Sequence, residues 1–379
     1  MTDWLDWPFF EPRHRELAQR LEKWSGDRDF HHGTNVDEEC RSLVAELGQA
    51  GFLKLCVPDG ERAPDVRSLA IARSTLAWAS GLADFAFAMQ GLGSGAISLF
   101  GSAAQKVEWL PKVASGEAIA AYALTEPETG SDAANIAMRA EQAGGEWRLT
   151  GEKSFISNGT IADALTVFAR TGSAADGARG ISAFIVRGDD PGLSVVERIE
   201  VIAPHPLARL KFDGVRAELL GPEGEGFKIA MQTLNLFRVT VGAAALGFAR
   251  RALDEAIQFA ASRKLGGGTL ADNAVTQEKL GEMATSVDAS ALLIARAAWQ
   301  QDVGRADNRR AAAMAKLHAT EEAQKVIDMA VQMHGGLGVT KGAKVEELYR
   351  EIRALRIYEG ASEVQRMIIA RDLLKEHSK

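Results

Sequence analysis

Cysteine is scarce in this chain of 379 residues: Cys40 and Cys56 are the only two, and no C-x-x-C occurs. That pattern excludes a disulfide scaffold and a zinc site, and two buried thiols in a reducing compartment are the expectation. Of the seven histidines, His31 and His32 are adjacent and the others scattered, with no pair at the i, i+4 spacing of a helical metal site. No metal is expected. Lysine and arginine form no block and the net charge is −7. This argues against a general nucleic-acid binder, while leaving room for a local basic groove around a phosphorylated ligand. No apolar run reaches the roughly 20 residues needed to span a bilayer. The stretch MTDWLDWPFFEPRHREL mixes acids and prolines with aromatics, unlike a signal or transit peptide. A cytoplasmic protein is the expectation. Repeats and low-complexity segments are lacking too.

What is present is an ordinary globular composition, 46% hydrophobic and 25% charged, in a chain long enough for two or three domains at roughly 100–200 residues each. Residues 1–118 read as helical. Leu17, Leu21 and Trp24 recur at helical spacing, as do Leu43, Val44 and Leu47. ADFAFAMQGLGSGAISLFG is apolar and rich in small residues, the pattern of a buried helix pair or of a lining for something inserted between helices. In AAQKVEWLPKVASGE, Pro111 is expected to kink or end a helix. Over residues 119–221 the period drops to two, in EWRLTGEKSFIS, ALTVFAR, GISAFIVRG, GLSVVERIEVI and PLARLKFDGVRAELLG. Five or more such strands without intervening helices predict an antiparallel sheet or barrel, and not a Rossmann alternation. Residues 222–379 return to long helices over 226–264, 274–303, 309–334, 344–356 and 362–376, an antiparallel bundle. The fold class is therefore mainly α with a central β-barrel.

Four short stretches carry chemistry, each with an ordinary structural reading beside it. TEPETGSD (125–132) offers backbone N–H groups and hydroxyls suited to a flavin ring and a pyrophosphate, or simply to a polar loop. GEKSFISNG (151–159) places Phe155 and Ser157 on one strand face by parity, able to pack on a flat ring and donate to it. QMHGGLGV (332–339) stops a helix at Gly335 or Gly336, and its three glycines allow a ligand to lie on the backbone; His334 reads as a helix-end residue. RIYEG (356–360) precedes Ser362 and Gln365, which have the S-x-x-Q form of a capping box. Locally, Glu359 there is a favourable charge near a helix N-terminus, worth about 0.3–1 kcal/mol.

Taken together and in order, A-Y-A-L-T-E-P-E-T-G-S-D, G-E-K-S-F-I-S-N, Q-M-H-G-G-L-G and I-Y-E-G-A-S-E-V-Q resemble the acyl-CoA dehydrogenase family over essentially the whole chain. The resemblance implies a helical N-terminal domain, a small β-barrel, a C-terminal four-helix bundle, and a homodimer or homotetramer. It implies FAD between barrel and bundle, an acyl-CoA substrate, and an electron-transferring flavoprotein as acceptor. Carried over by position, the cofactor set is Tyr122, Leu124, Thr125, Gly130, Ser131, Phe155, Ile156, Ser157, Arg263, Gln332, Gly335, Gly336, Ser362 and Glu363. Within it Thr125 falls at the flavin ring, Ser131 near the pyrophosphate and Ser157 near flavin N5. Arg263 falls at the phosphates of a neighbouring subunit's FAD, and Gln332 with its glycines at the adenosine side. The substrate set is Ser131, Asn235, Arg238, Tyr358 and Gly360. Glu359 matches the base that removes the α-proton, its backbone N–H serving the thioester oxygen, and Arg238 matches an arginine close to that base.

Departures from the family pattern bear on packing and substrate. Gly266 stands where relatives have phenylalanine, Ala274 where they have glutamine and Ala361 where threonine is common, so looser packing is expected around residue 266. The earlier helix position that supplies the base in isovaleryl-type relatives is Phe237 here. Residues 83–96 are expected to line the acyl end. They contain Asp84 but no arginine to hold a distal carboxylate, which disfavours oxidative decarboxylation of a dicarboxyl-CoA ester. An oxygen-using acyl-CoA oxidase of the same fold and a non-catalytic flavin-bearing binding protein complete the alternatives.

Overall fold

Each change of residue period along the chain coincides with a change of secondary structure. A computed structural model describes residues 3–30, 35–57, 64–304 and 308–378; His31 and His32 lie outside them. Five helices come first, α1 (Pro12–Gly26), α2 (Val36–Gln49), α3 (Val66–Ala79), α4 (Gly81–Phe100) and α5 (Ala103–Ser115). Seven strands follow: β1 (Ala120–Ala123), β2 (Arg139–Ala143), β3 (Glu146–Ser157), β4 (Ala164–Arg170), β5 (Ile181–Arg187), β6 (Leu193–Arg198) and β7 (Leu207–Leu220). After α6 (Gly226–Ser262), a two-residue hairpin of β8 (Lys264–Leu265) and β9 (Gly268–Thr269) leads to α7 (Ala274–Asp302). Then come α8 (Arg309–His334), α9 (Lys344–Leu355) and α10 (Ser362–His377).

The chain divides into two compact units that do not follow chain order: Met1–Phe30 with Asp65–Asp84 and Arg238–Lys379, and His31–Pro64 with Phe85–Phe237. In the first, α1 starts with Pro12, whose missing N–H costs nothing at a first helical position, and buries Leu17, Leu21 and Trp24. α8 buries an alanine-rich stripe, Ala312, Ala313, Ala315, Ala319 and Ala323, which lets neighbouring helices approach closely. A Cβ added at Gly242 of α6 would lie 3.2 Å from the Ala315 carbonyl oxygen. Helix α6 is the one described helix long and apolar enough to cross a membrane, yet 83% of its apolar window is buried, the signature of a core helix.

The second unit is built on the barrel. Its ring closes as β4–β2–β3–β7–β5 and back to β4, with β1 laid parallel to β4 and β6 paired to β7. The pairs β1–β4 and β2–β4 are parallel, where an all-antiparallel arrangement was expected. Leu149, Val167, Phe184, Leu210, Phe212 and Val215 fill the interior. β4 and β5 are buried almost throughout, because Phe168, Ile181 and Ile185 pack outward on Ile97, Trp109 and Ile229.

Two local expectations are corrected, and one of the two outcomes open at Pro111 is excluded. The apolar run 83–96 belongs to the single helix α4 and not to a helix pair. Its glycines do not leave room for a ligand: a Cβ at Gly91 or Gly95 would fall 2.7 Å from the Phe237 ring, and one at Gly93 would fall 2.7 Å from the Ala120 backbone. Pro111 sits inside α5 without ending it. The carbonyl it leaves unbonded belongs to Val107, which is exposed, so water can satisfy it.

Candidate active site

Helix α9 stops at Leu355, and the N–H groups of Ile357 and Tyr358 both return to the Ala354 carbonyl at 2.9 and 3.1 Å. The chain then reverses through two left-handed residues, Glu359 (φ 52°) and Gly360 (φ 91°). Glycine adopts this conformation freely, but a glutamate does so only when its surroundings hold it there. Among the described residues, Phe155, Asn158 and Glu359 are the only non-glycines with positive φ, and Phe155 and Glu359 are both sequence-predicted site residues. The predicted capping box at Ser362 is not formed. Ala361 is the N-cap and Ser362 the first helical residue; its hydroxyl donates to Glu321 Oε1, while Gln365 Nε2 donates to the Gly360 carbonyl at 2.7 Å.

Charged side chains from four helices surround Glu359. Arg73 of α3 and Asp84 of α4 form a buried two-point pair, Nε to Oδ1 at 2.9 Å and Nη2 to Oδ2 at 2.7 Å, and Arg73 Nη1 donates to Thr240 Oγ1 at 3.3 Å. Burial alone would lower the Arg73 pKa, but the Asp84 carboxylate beside it raises it above the ordinary value. Arg238 of α6 is buried and interacts electrostatically with Glu359; burial lowers its proton affinity, against the pull of that carboxylate. Lys316 of α8 donates to the carbonyls of Tyr358 and Gly360 at 3.1 and 2.7 Å. Glu359 Oε2 is buried and makes no hydrogen bond with any described residue. Burial raises the Glu359 pKa above the usual carboxylate range; Arg73, Lys316 and Arg238 oppose the rise and Asp84 adds to it. The result is a carboxylate of enhanced basicity on a turn whose flanking carbonyls are tied to Lys316.

Sequence reasoning singled out Glu359 and Arg238 but missed Arg73 and Lys316. Each is a lone charge in an apolar helical stripe, SLAIARSTLAWA and AAAMAKLHA, and that is the signal that could have found it, since such charges are seldom buried without a partner.

The stretches predicted to bind a cofactor lie partly in the barrel. Lys153 of β3 is 0% exposed and ties down the TEPETGSD segment, its Nζ donating to the Leu124 carbonyl at 3.0 Å and to Glu126 Oε1 at 2.9 Å. Glu126 in turn accepts the N–H groups of Ala137 and Met138 at 2.6 and 3.0 Å. Burial lowers the Lys153 pKa to about 8, even against the Glu126 carboxylate. Thr125 is joined to β3 by the Ser154 N–H at 2.9 Å. Tyr122 and Leu124 are half-buried, and Gly130 and Ser131 are exposed.

β3 is bulged between Lys153 and Ile156 and Phe155 adopts φ 55°, so regular strand alternation does not by itself set the direction of its side chain. The Phe155 ring is 59% exposed, whereas the Ile156 side chain lies in the barrel core. Asn158 is left-handed and fully buried, with Nδ2 donating to the Ala120 carbonyl at 3.0 Å.

In the bundle, Arg263, Gln332, Gly335 and Gly336 are exposed. Gly335 closes α8, as expected of one of the two glycines, at φ 59° and ψ −136°, a positive φ outside the left-handed helical region. Gly338 is needed for space, since a Cβ there would sit 2.2 Å from the Val331 carbonyl oxygen; Gly336 has neither requirement. His334 stacks on Phe259 at 4.3 Å between ring centroids. Gly266 and Gly267, both of positive φ, are the two-residue loop of the β8–β9 hairpin. The glycine at 266 thus shapes a turn rather than leaving a gap.

Three models of the acyl-CoA dehydrogenase family match the chain: its N-terminal domain over residues 12–117, its middle domain over 121–215 and its C-terminal domain over 224–374. The chain belongs to the acyl-CoA dehydrogenase family. It is 35% identical over 97% of its length to a 3-(aryl)acrylate reductase of Clostridium sporogenes, covering 100% of that protein. To the short-chain specific acyl-CoA dehydrogenase, mitochondrial, of Bos taurus it is 36% identical over 96% of its length, covering 90% of that protein. Among solved structures it superposes on butyryl-CoA dehydrogenase from Megasphaera elsdenii with TM-score 0.88 and 30% identity, covering 96% of this chain and 99% of that one. A glutaryl-CoA dehydrogenase from Mycobacterium smegmatis in complex with FADH2 gives TM-score 0.86 and 28% identity, over 96% and 95%.

This acyl-CoA dehydrogenase family member is a flavoprotein oxidoreductase, and FAD is its cofactor. The residues present fit that group. The Phe155 side chain, carried on a backbone of positive φ, is more than half exposed and offers a flat ligand a packing surface. Thr125, Ser131 and Ser157 supply the hydroxyl donors that flavin heteroatoms and a pyrophosphate require.

Proposed function

We propose that the protein converts an acyl-CoA thioester to the 2-enoyl-CoA, with Glu359 as the base that removes the α-proton. The observation that carries this reading is the Glu359 carboxylate itself, raised in basicity by burial and lacking a hydrogen-bond partner at Oε2, on a turn whose backbone is held in a rare conformation. The α-carbon proton passes to this carboxylate and the C–H electron pair becomes the new carbon–carbon double bond. Bound FAD supplies the acceptor for the β-hydrogen, which leaves with its electron pair as hydride. The backbone N–H of Glu359 is assigned to the thioester oxygen, where negative charge grows as the proton departs. Arg238 orients the carboxylate by charge. Cofactor contacts are assigned to Thr125, Ser131, Phe155 and Ser157, with Arg263, Gln332, Gly335, Gly336, Ser362 and Glu363 serving the bundle side.

An uncharged acyl group is favoured over a dicarboxylic one. Arg73, a cation acting on Glu359, is already engaged at two points by Asp84 and is not available to a second carboxylate. A linear short-chain or an aryl-substituted acyl group agrees with the names of the relatives. An electron-transferring flavoprotein as acceptor, a homodimer or homotetramer and a cytoplasmic location complete the reading.

The test is anaerobic addition of butyryl-, octanoyl-, 3-phenylpropionyl- and glutaryl-CoA to the FAD-loaded protein. Bleaching by at least one of the first three is expected, followed by reoxidation by an electron-transferring flavoprotein. Fast turnover with oxygen alone would replace the dehydrogenase reading with an oxidase, and no bleaching by any thioester would refute both.

A further inference from the structure

We propose that Lys316 is the positioning residue of the Glu359 turn, its buried ammonium gathering the carbonyls on both sides of the base and holding the carboxylate in its proton-accepting orientation and charge state. The proposal rests on Glu359 being the base.

Lys316 is 0% exposed in the middle of the alanine-rich stripe of α8, where a small apolar residue would pack without desolvating a charge. An ammonium has three donors and no acceptor. Two of the donors reach the carbonyls of Tyr358 and Gly360, the residues immediately before and after Glu359. In extended chain, alternate residues present their carbonyls along parallel lines and do not bring them together at one atom. Here the consecutive positive φ values at Glu359 and Gly360 turn the two carbonyls onto a single nitrogen. Their negative ends would repel each other without a cation between them, so the ammonium stabilises the conformation that points the carboxylate. Gln365 adds a neutral donor to the Gly360 carbonyl from α10, which makes geometry and charge separable by mutation.

The charged groups acting on Glu359 are Arg73 from α3, Asp84 from α4, Arg238 from α6 and Lys316 from α8. Those acting on Lys316 are Glu359, Arg238, Glu321 and Glu363. Arg73 opposes the rise at Glu359 most and is countered only in part by Asp84, with which it is paired; Lys316 and then Arg238 add to its effect. Burial lowers Lys316 itself to about 8, while Glu359 favours its charged form. The lysine therefore remains cationic at neutral pH.

The decisive measurement is the rate of anaerobic flavin bleaching against pH, using whichever thioester of the four above bleaches the wild-type holoenzyme. Lys316→Met, Lys316→Gln, Gln365→Leu and Glu359→Gln are compared. Lys316→Met is expected to lower the plateau rate about tenfold or more and to move the apparent pKa of the base upward by about one unit, as loss of a nearby opposite charge requires. Lys316→Gln keeps a donor for the carbonyls without the charge, so it also answers the question should the methionine variant not fold. It should show the same upward shift with a smaller loss of rate. Gln365→Leu removes a neutral donor to the same carbonyl and should leave the apparent pKa in place. Profiles of both lysine variants that overlay the wild type, or rates that fall with no change in apparent pKa, would reduce Lys316 to a packing anchor. Should Glu359→Gln bleach at the wild-type rate, the base assignment itself fails, and the two failures are told apart by that variant.

Discussion

Replacing Glu359 by Gln removes the proposed base with almost no change in shape, and the structure sets what should follow. The amide occupies the same volume on the same left-handed turn, and the carbonyls of Tyr358 and Gly360 keep their Lys316 donor. FAD content and acyl-CoA binding should therefore persist. Proton transfer to a positioned side chain contributes about 10²–10⁴-fold in rate, or roughly 3–5 kcal/mol of barrier at about 1.4 kcal/mol per tenfold. Single-turnover bleaching should slow by that factor. Stability should respond in the opposite sense. Burial raises the Glu359 pKa above its ordinary 4.5 in the folded protein, so the folded state holds this proton more tightly than the unfolded one. The stabilisation from that proton is complete below pH 4.5 and is lost as pH rises through the raised value. The glutamine variant, which cannot ionise, should therefore melt higher than wild type at neutral pH, and the gap should close in acid. A variant that bleaches within a few-fold of wild type, or melts lower by the same amount at every pH, would refute the reasoning.

Further outcomes follow from the same geometry. Asp84→Asn leaves Arg73 buried without its counter-charge and should cost about 3–5 kcal/mol, read as a fall in thermal midpoint. It also removes the anion that raises Glu359, so the pH profile of bleaching should move to lower pH. Lys153→Met breaks the buried pair with Glu126 and frees the Leu124 carbonyl; a loss of about 3–5 kcal/mol and weakened FAD retention, measured by melting and by flavin absorbance after gel filtration, are expected. Gly338→Ala, whose Cβ would sit 2.2 Å from the Val331 carbonyl oxygen, should destabilise by about 1–3 kcal/mol. Gly336→Ala, with nothing near its Cβ, should stay within about 0.5 kcal/mol of wild type.

Much of the architecture is written in local pattern. Helical spacing placed α6 to α10 to within about two residues, and the two-residue period of ALTVFAR and GISAFIVRG marked β4 and β5. Such patterns are legible because each element must bury apolar side chains, on one face for a helix such as α9 and on both for β4 and β5, whatever its partner is. The prediction failed where a partner decides the outcome. The bulge of β3 between Lys153 and Ile156, with the positive φ of Phe155, is one that no parity rule anticipates. Ser362 gave its hydroxyl to Glu321, forty-one residues earlier, and not to its own helix. The glycines of α4 looked like room for a ligand and were filled by Phe237 and by β1.

The same division holds at the site. The order of TEPETGSD, FISNG, QMHGG and RIYEG along the chain was enough to nominate Glu359, through the resemblance to the acyl-CoA dehydrogenase family that they carry together. Its basicity could not be read there. That property depends on Arg73, Asp84, Arg238 and Lys316, which are spread over more than two hundred residues of sequence. Electrostatic interaction falls with distance in space and not along the chain, so only the folding of α3, α4, α6 and α8 around one turn makes a surface-type acid into a candidate base.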